Sequence, residues 1–132
     1  MDLSSCSLKC GGESFLQESV FAYSEVERIE FPSSMRVIGE RALSDCRRLR
    51  SVTFGDNPMI EEIGPQAFCS SGLESFVAPP SLKRIDGMAF GNCILLEKFK
   101  LNEGIEKLDW LCFWMTGIQN LAIPPQVKMT PE

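Results

Sequence analysis

Residues 63–68 read IGPQAF, and close variants of this phrase recur along the chain of 132 residues. Residues 38–43 read IGERAL and residues 85–90 read IDGMAF, and weaker copies occupy 16–21 and 108–113. The starts of successive copies are 22, 25, 22 and 23 residues apart. A nearly constant period of this length indicates a repeat architecture in which each unit stacks on the next.

A second phrase follows each copy of the first and predicts a short β-strand. Its first, fourth and sixth positions are apolar, so its last three residues point alternately inward, outward and inward. This is the period of a strand with one buried face. Proline, glycine or asparagine comes directly after each copy and ends the strand. The five copies are 26–31 (VERIEF), 49–54 (LRSVTF), 73–78 (LESFVA), 96–101 (LEKFKL) and 118–123 (IQNLAI).

Three further columns of apolar residues predict one interior shared by all units. A unit of about 22 residues cannot bury its own apolar side, so the units must stack and their strands must pair in parallel. The sequence therefore predicts an α/β solenoid of about five turns, with parallel strands on the concave face and short helical or irregular turns on the convex face. The columns are Val20, Ala42, Ala67, Ala89 and Cys112 (small), Phe21, Leu43, Phe68, Phe90 and Phe113 (large), and Met35, Ile60, Leu82, Ile105 and Val127.

The joint pattern Ile-Gly-x-x-Ala-Phe-x-x-Cys-x-x-Leu-x-x-Val-x-Phe-Pro-x-Ser-Leu-x-x-Ile resembles the BspA-like leucine-rich repeats. The resemblance assigns 16–132 to a right-handed leucine-rich-repeat solenoid and leaves 1–15 as an N-terminal cap or flexible segment. The chain departs from the pattern at Leu43, where the family has Phe, and at Cys112, where it has Ala. Members of the family occur among bacterial surface adhesins and in parasitic protists, and the family has no catalytic residues to carry over.

Composition argues against several classes of function. A net charge of -5 disfavours nucleic-acid binding, which needs a basic face. Because the chain has no histidine, it lacks Ser–His and Cys–His nucleophile pairs and His-ligated metal sites, so we expect neither an enzyme nor a cofactor. No run approaches the ~18 apolar residues of a transmembrane helix. The first residues lack the features of a signal peptide, which suggests a cytoplasmic protein or a fragment, whereas the resemblance suggests a cell-surface or secreted protein.

The outward residues of the predicted strands form the candidate binding surface for a protein partner. An ordinary solvated sheet face is the alternative. Five strands at ~4.8 Å spacing give a face of only a few hundred Å², less than the ~800 Å² per partner of stable interfaces. Flanking loops must therefore take part, or binding is weak, or the natural array is longer. The surface comprises Arg28, Glu30, Ser51, Thr53, Ser75, Val77, Lys98, Lys100, Asn120 and Ala122.

Two tryptophans and the cysteines are further candidates. Trp110 and Trp114 form either a contact hot spot or a cover for the open end of the solenoid. Cys46 and Cys93 share a column two turns apart, roughly 9–10 Å, which is beyond disulfide reach and favours buried thiols. The pair Cys6 and Cys10 has the spacing of a metal site, but zinc would need two more cysteines, so a disulfide in an exported form is the other option.

These observations favour a protein-binding module, of the surface-adhesin or host-interaction type that the resemblance implies. The alternative is an intracellular scaffold or regulatory interaction domain, consistent with unpaired thiols. The acidic pair Glu61-Glu62 falls on the outer strip, where we expect both carboxylates to be solvated. The identity of the partner and the oligomeric state are not encoded in any motif of the chain.

Overall fold

The computed structural model describes residues 7–9, 15–109 and 111–130, which form a parallel β-solenoid of short strands. In chain order these are β1 (Ser7–Lys9), β2 (Phe15–Leu16), β3 (Arg28–Phe31), β4 (Val37–Ile38), β5 (Ser51–Phe54), β6 (Glu62–Ile63), β7 (Ser75–Val77), β8 (Arg84–Ile85), β9 (Lys98–Lys100), β10 (Lys107–Asp109) and β11 (Lys128–Thr130). Strands β1, β3, β5, β7 and β9 form the front of the solenoid. The even-numbered strands and β11 form the back.

The front strands pair in parallel and in the register that the repeat predicts. Arg28 lies beside Ser51 in the β3–β5 pair, and Ser75 lies beside Lys98 in the β7–β9 pair. Between β5 and β7 no ladder forms, although the two strands remain neighbours. The front sheet is therefore divided into two pieces, β1–β3–β5 and β7–β9.

The two ends of the front sheet differ from the expected pattern. Residues 118–123, which the repeat predicts as the last strand, contain no strand, so Asn120 and Ala122 do not occupy strand positions. This outermost turn has a neighbouring turn on one side only, and the two prolines that follow cannot donate to a ladder. At the other end β1 pairs with β3, so a strand lies inside the segment 1–15.

The back of the solenoid is a six-stranded parallel sheet, β11-β10-β8-β6-β4-β2. Each strand has only two or three residues, and Val37–Ile38 and Glu62–Ile63 end on the first residue of a copy of the IGxxAF phrase. Of the two forms expected for the convex side, the irregular one is observed, since the described part of the chain contains no helix. The expected five turns are approximate, because five strands on the front accompany six on the back.

The segment after each back strand does not wind into a helix because its N–H groups alternate between two kinds of acceptor. Ala42 N–H donates to the Gly39 carbonyl at 3.2 Å, and Leu43 N–H donates to Ala67 in the next turn at 2.7 Å. An α-helix would direct both donors four residues back along the chain. The alternation is accompanied by left-handed backbone, with φ between 55° and 64°, at Ser19, Tyr23, Arg41, Asp45, Gln66, Ser70, Met88, Asn92 and Met115.

A spine of phenylalanines runs through the single interior and confirms the stacking of the turns. Phe68 and Phe90 stack with ring centroids 5.2 Å apart, and Phe76 and Phe99 stack at 5.3 Å. One column departs from its prediction in the first turn, where Val20 is 45% exposed, although Ala42, Ala67, Ala89 and Cys112 of the same column are fully buried.

Candidate interaction surface

The front face, the outward side of β3, β5, β7 and β9, contains the predicted strand residues where the sequence places them. In β7 and β9 the burial pattern is exposed, buried, exposed, and the buried residues are Phe76 and Phe99. Eight of the ten predicted surface residues lie on these four strands. Arg28, Glu30, Thr53, Ser75, Val77, Lys98 and Lys100 are exposed, Ser51 is half-buried, and Asn120 and Ala122 are exposed beyond the strands.

Several basic residues lack an acidic partner among the described residues, both on the front face and elsewhere, as Arg41, Lys107 and Lys128 show. Among the described residues, Arg28, Lys98 and Lys100 have no carboxylate within 4.0 Å. On the other sides of the solenoid, most arginines pair with a carboxylate one turn away. These inter-turn pairs are Arg36–Glu61 (3.1 Å), Arg48–Glu25 (3.4 Å), Arg50–Glu74 (3.8 Å), Lys83–Glu106 (3.7 Å) and Arg84–Glu62 (2.6 Å).

Two grooves flank β9 on the front face. The Lys100 groove has a volume of about 630 Å³, and the Lys98 groove has a volume of about 410 Å³. Both volumes fall within the range of pockets that hold ligand groups. The Lys100 groove is lined by Phe99, Lys100, Leu101, Glu103, Ala122, Ile123, Pro124, Pro125 and Gln126, and the Lys98 groove by Ser75, Phe76, Val77, Glu97, Lys98, Phe99, Lys100 and Asn120.

Exposed apolar side chains border the same end of the front face. Trp114 is 50% exposed and takes part in none of the ring contacts of the described residues, while Trp110 lies outside them. Ile94 (65%) and Leu95 (46%) are exposed where other turns carry polar residues. Neither residue was predicted as a contact residue from the sequence, although the apolar run that follows Cys93 was a visible signal.

The described cysteines are free thiols, and Cys46, Cys93 and Cys112 are fully buried. The thiols of Cys46 and Cys93 each donate to a carbonyl 25 residues away at 3.0 Å, so they connect neighbouring turns. Burial raises the pKa of Cys46 to about 11 and that of Cys112 to about 12. The buried-thiol interpretation is confirmed for this column, whereas Cys6 and Cys10 lie outside the described residues.

A carboxyl pair on the back of the solenoid contradicts the expectation that Glu61-Glu62 is simply solvated. Glu61 is exposed, but Glu62 is half-buried and hydrogen-bonded to Asp86. Burial, together with the Glu62 hydrogen bond and charge, raises the pKa of Asp86 to about 7. The hydrogen bond from Asp86, followed by that from Arg84, lowers the pKa of Glu62.

Within the described ranges, no cluster of three or more His, Cys, Asp or Glu side chains is arranged to hold a metal ion. The same part of the chain has no helix with the length and apolar character that a membrane span requires.

Residues 14–132 match the family of BspA type leucine rich repeat regions in six copies. No curated protein matches the chain. The family model thus finds six copies, one more than the five units predicted from the sequence. Six is also the number of strands in the back sheet.

Several solved structures share the fold. A leucine rich cell surface protein from Faecalibacterium prausnitzii superposes with a TM-score of 0.61 at 19% identity, over 94% of this chain and 43% of that protein. The leucine rich repeat protein of T. pallidum gives a TM-score of 0.61 at 19% identity, over 96% of this chain and 73% of that one. A leucine-rich repeat protein from Bacteroides ovatus gives 0.54 at 15% identity, over 95% and 48%. The chain thus spans less than half the length of two of these three proteins.

Proposed function

Because the chain belongs to the BspA-type leucine-rich-repeat family, we propose that it is a protein-binding module whose front face contacts the partner. One observation carries this proposal. Among the described residues, Lys98 and Lys100 have no carboxylate within 4.0 Å and they line two grooves, whereas Lys107 and Lys128 on the back, which are also unpaired, line neither groove. An ammonium group left unpaired in the fold remains available to an acidic group of a partner.

The proposal extends to a role at the surface of a microbe, as an adhesin or host-interaction protein. The F. prausnitzii protein of the same fold is described as a cell surface protein, which supports this role here. The front strands alone offer a face of only a few hundred Å². The grooves beside β9 and the apolar rim of Ile94, Leu95 and Trp114 add contact area, which helps to reach the ~800 Å² of stable interfaces.

The test is capture of partners from host or own-cell lysate by two matched variants. The front variant is Lys98→Ala/Lys100→Ala, and the back variant is Lys107→Ala/Lys128→Ala, which changes the net charge equally. All four lysines are exposed, so each variant should keep its stability within about 0.5 kcal/mol. The front variant should lose the partner that the wild type and the back variant capture. Equal capture by both variants would exclude the front face.

An intracellular scaffold or regulatory domain is the second candidate. It is favoured by the four free thiols among the described residues, including the half-buried Cys69, because oxidising compartments tend to pair accessible cysteines. Thiol titration of the denatured protein, isolated from its native compartment with thiols blocked, separates the two candidates. Six free thiols favour the intracellular role, and a Cys6–Cys10 disulfide favours export.

A further inference from the structure

We propose that the partner segment bound around β9 is an extended acidic peptide, with carboxylates at alternate positions facing Lys98 and Lys100 and an apolar side chain in the Lys100 groove. The inference rests on the proposed function and specifies its ligand. It follows from the charge of the front face, the spacing of its lysines and the lining of the grooves.

Charge is distributed unevenly between the front face and the rest of the chain. Of the four charged residues at exposed positions of β3, β5, β7 and β9, three are basic, whereas the whole chain has 18 acidic and 13 basic residues. The fourth, Glu30, lies on β3 and away from β9. Both outward positions of β9 are therefore lysines on a chain of net charge -5, and carboxylate ligands complement their charge.

The geometry of β9 matches an extended ligand. Lys98 and Lys100 are separated by one residue on a strand, so their Cα atoms lie roughly 7 Å apart on one face. Residues i and i+2 of an extended peptide have the same separation and also share a face. A peptide that runs along β9 can therefore present one carboxylate to each ammonium group, and its next outward residue lies beyond the lysines.

The Lys100 groove explains why one residue of the ligand should be apolar. Its lining combines the Lys100 side chain with Leu101, Ile123 and Pro124, and Ile123 is 46% exposed. Burying an aliphatic side chain there removes apolar surface of both partners from water. An acidic peptide without an apolar residue would leave this surface exposed and would bind more weakly.

Anionic membranes and nucleic acids carry the same sign of charge but fit the site less well. Glu97 lines the Lys98 groove and Glu103 lines the Lys100 groove, so each groove also contains an acidic residue, although neither carboxylate lies within 4.0 Å of the ammonium group of either lysine. An extended polyanion would meet these carboxylates and the net charge of -5 as well as the two lysines. A short peptide with two carboxylates at the matching spacing carries fewer negative charges and therefore meets less of this repulsion.

The experiment uses the whole chain and labelled peptides in fluorescence anisotropy. The probe Leu-Ser-Glu-Ser-Glu-Ser-Leu reads identically in both directions, so it fits β9 in either orientation. Three matched peptides test its features: Gln in place of both Glu, Ser in place of both Leu, and Leu-Ser-Glu-Glu-Ser-Ser-Leu with adjacent carboxylates. Phosphatidylserine vesicles and single-stranded DNA serve as the other anionic ligands.

We expect the probe to bind, and the Gln, Ser and adjacent-Glu peptides to bind about tenfold more weakly. The Lys98→Ala/Lys100→Ala variant should bind the probe more weakly by a similar factor, while the Lys107→Ala/Lys128→Ala variant should bind it with unchanged affinity. Raising the ionic strength from about 0.01 M to about 0.15 M should lower the affinity of the wild-type protein for the probe, because salt screens the charges. No probe binding, equal affinity for the Gln peptide, or tighter front-face binding of vesicles or DNA would overturn the proposal.

The failure of this inference is distinguishable from the failure of the proposed function. A captured partner that depends on Lys98 and Lys100, while the acidic probe does not bind or compete, leaves the front face as the binding surface but refutes the acidic peptide. A partner whose capture is insensitive to the front variant refutes both.

Discussion

Truncation of Phe90 to alanine is the sharpest test of the shared interior. Phe90 is fully buried and lies at the centre of the phenylalanine spine. Its ring centroid lies 5.2 Å from Phe68, 5.0 Å from Phe76, 5.0 Å from Phe99 and 5.9 Å from Phe113. These neighbours come from three different turns, so the ring connects units that are distant in sequence.

Phe90→Ala should lower the free energy of unfolding by about 3–5 kcal/mol, the usual cost of a buried Phe-to-Ala cavity. The backbone cannot collapse into the cavity without breaking inter-turn bonds such as Phe90 N–H to the Cys112 carbonyl, at 2.8 Å. The matched control is Phe113→Ala. Phe113 is only half-buried, so its truncation should cost about 2 kcal/mol. A total stability of about 5–15 kcal/mol makes both changes measurable.

Urea unfolding followed by far-ultraviolet circular dichroism provides the measurement. The transition midpoint should fall more for Phe90→Ala than for Phe113→Ala, in proportion to the two costs. If Phe90→Ala proves no more damaging than Phe113→Ala, the central turns do not share an interior and the stacking argument is refuted. A lower midpoint together with a smaller m value, the dependence of the free energy of unfolding on urea concentration, would indicate that the turns on either side of Phe90 unfold separately.

Two further predictions concern backbone packing and pH. Gly72→Ala should lower the free energy of unfolding by about 2–3 kcal/mol in the same assay, because its Cβ would overlap the Arg47 carbonyl oxygen. The control is Gly104→Ala, whose Cβ would lie 3.2 Å from the Pro80 carbonyl oxygen and which should cost less than about 1 kcal/mol. A neutral Gly72→Ala would contradict this close approach. The second prediction concerns Asp86, whose pKa rises from 3.8 to about 7 on folding. Between these two values the native state retains a proton that the unfolded state releases. The stability that Asp86 contributes at low pH is therefore lost as the pH rises through 7. The lowered pKa of Glu62 acts in the opposite sense, because it contributes stability that is lost only as the pH falls below the usual range of a carboxyl group. Melting temperatures from about pH 5 to about pH 8 should therefore fall for the wild type but not for Asp86→Asn, and parallel curves would refute the Asp86–Glu62 interaction.

The front strands were predictable because alternation has a single structural solution. Once Phe76 and Phe99 are assigned to the interior, the residues on either side of each must point to solvent. The same alternation at 118–123 predicted a strand that is not formed. The pattern describes which side chains are apolar, but a ladder also needs partners, and these depend on the position of the turn in the stack.

The back sheet was not predicted as a sheet because its signals are local and weak. A two-residue strand such as Val37–Ile38 is too short to show an alternation. The left-handed positions that follow are occupied by residues such as Arg41, Gln66 and Met88, which have no marked preference for positive φ. The backbone adopts this conformation because the hydrogen bonds between turns require it, and no local sequence signal encodes them.

The unpaired state of Lys98 and Lys100 could have been derived from the repeat, since ionic partners lie one turn away. Arg84 pairs with Glu62, which is 22 residues earlier, and Arg36 pairs with Glu61, which is 25 residues later. The register places Lys98 beside Ser75 and Lys100 beside Val77, so neither lysine has an acidic neighbour in the preceding strand. The grooves, in contrast, depend on the irregular course of 118–125 and follow from no pattern in the sequence.

The Lys100 groove lies against residues 122–126, which contain no strand, and this position has an energetic consequence. Ile123 holds the column that Leu101 holds one turn earlier, yet Leu101 is 9% exposed and Ile123 is 46% exposed. An apolar side chain of a ligand in the groove would cover Ile123 much as a further turn covers Leu101. Since a ligand that binds only the folded state stabilises it, binding in this groove should raise the free energy of unfolding of the turn that contains Ile123. The acidic residues of the peptide would then select the site, and its apolar residue would cover Ile123.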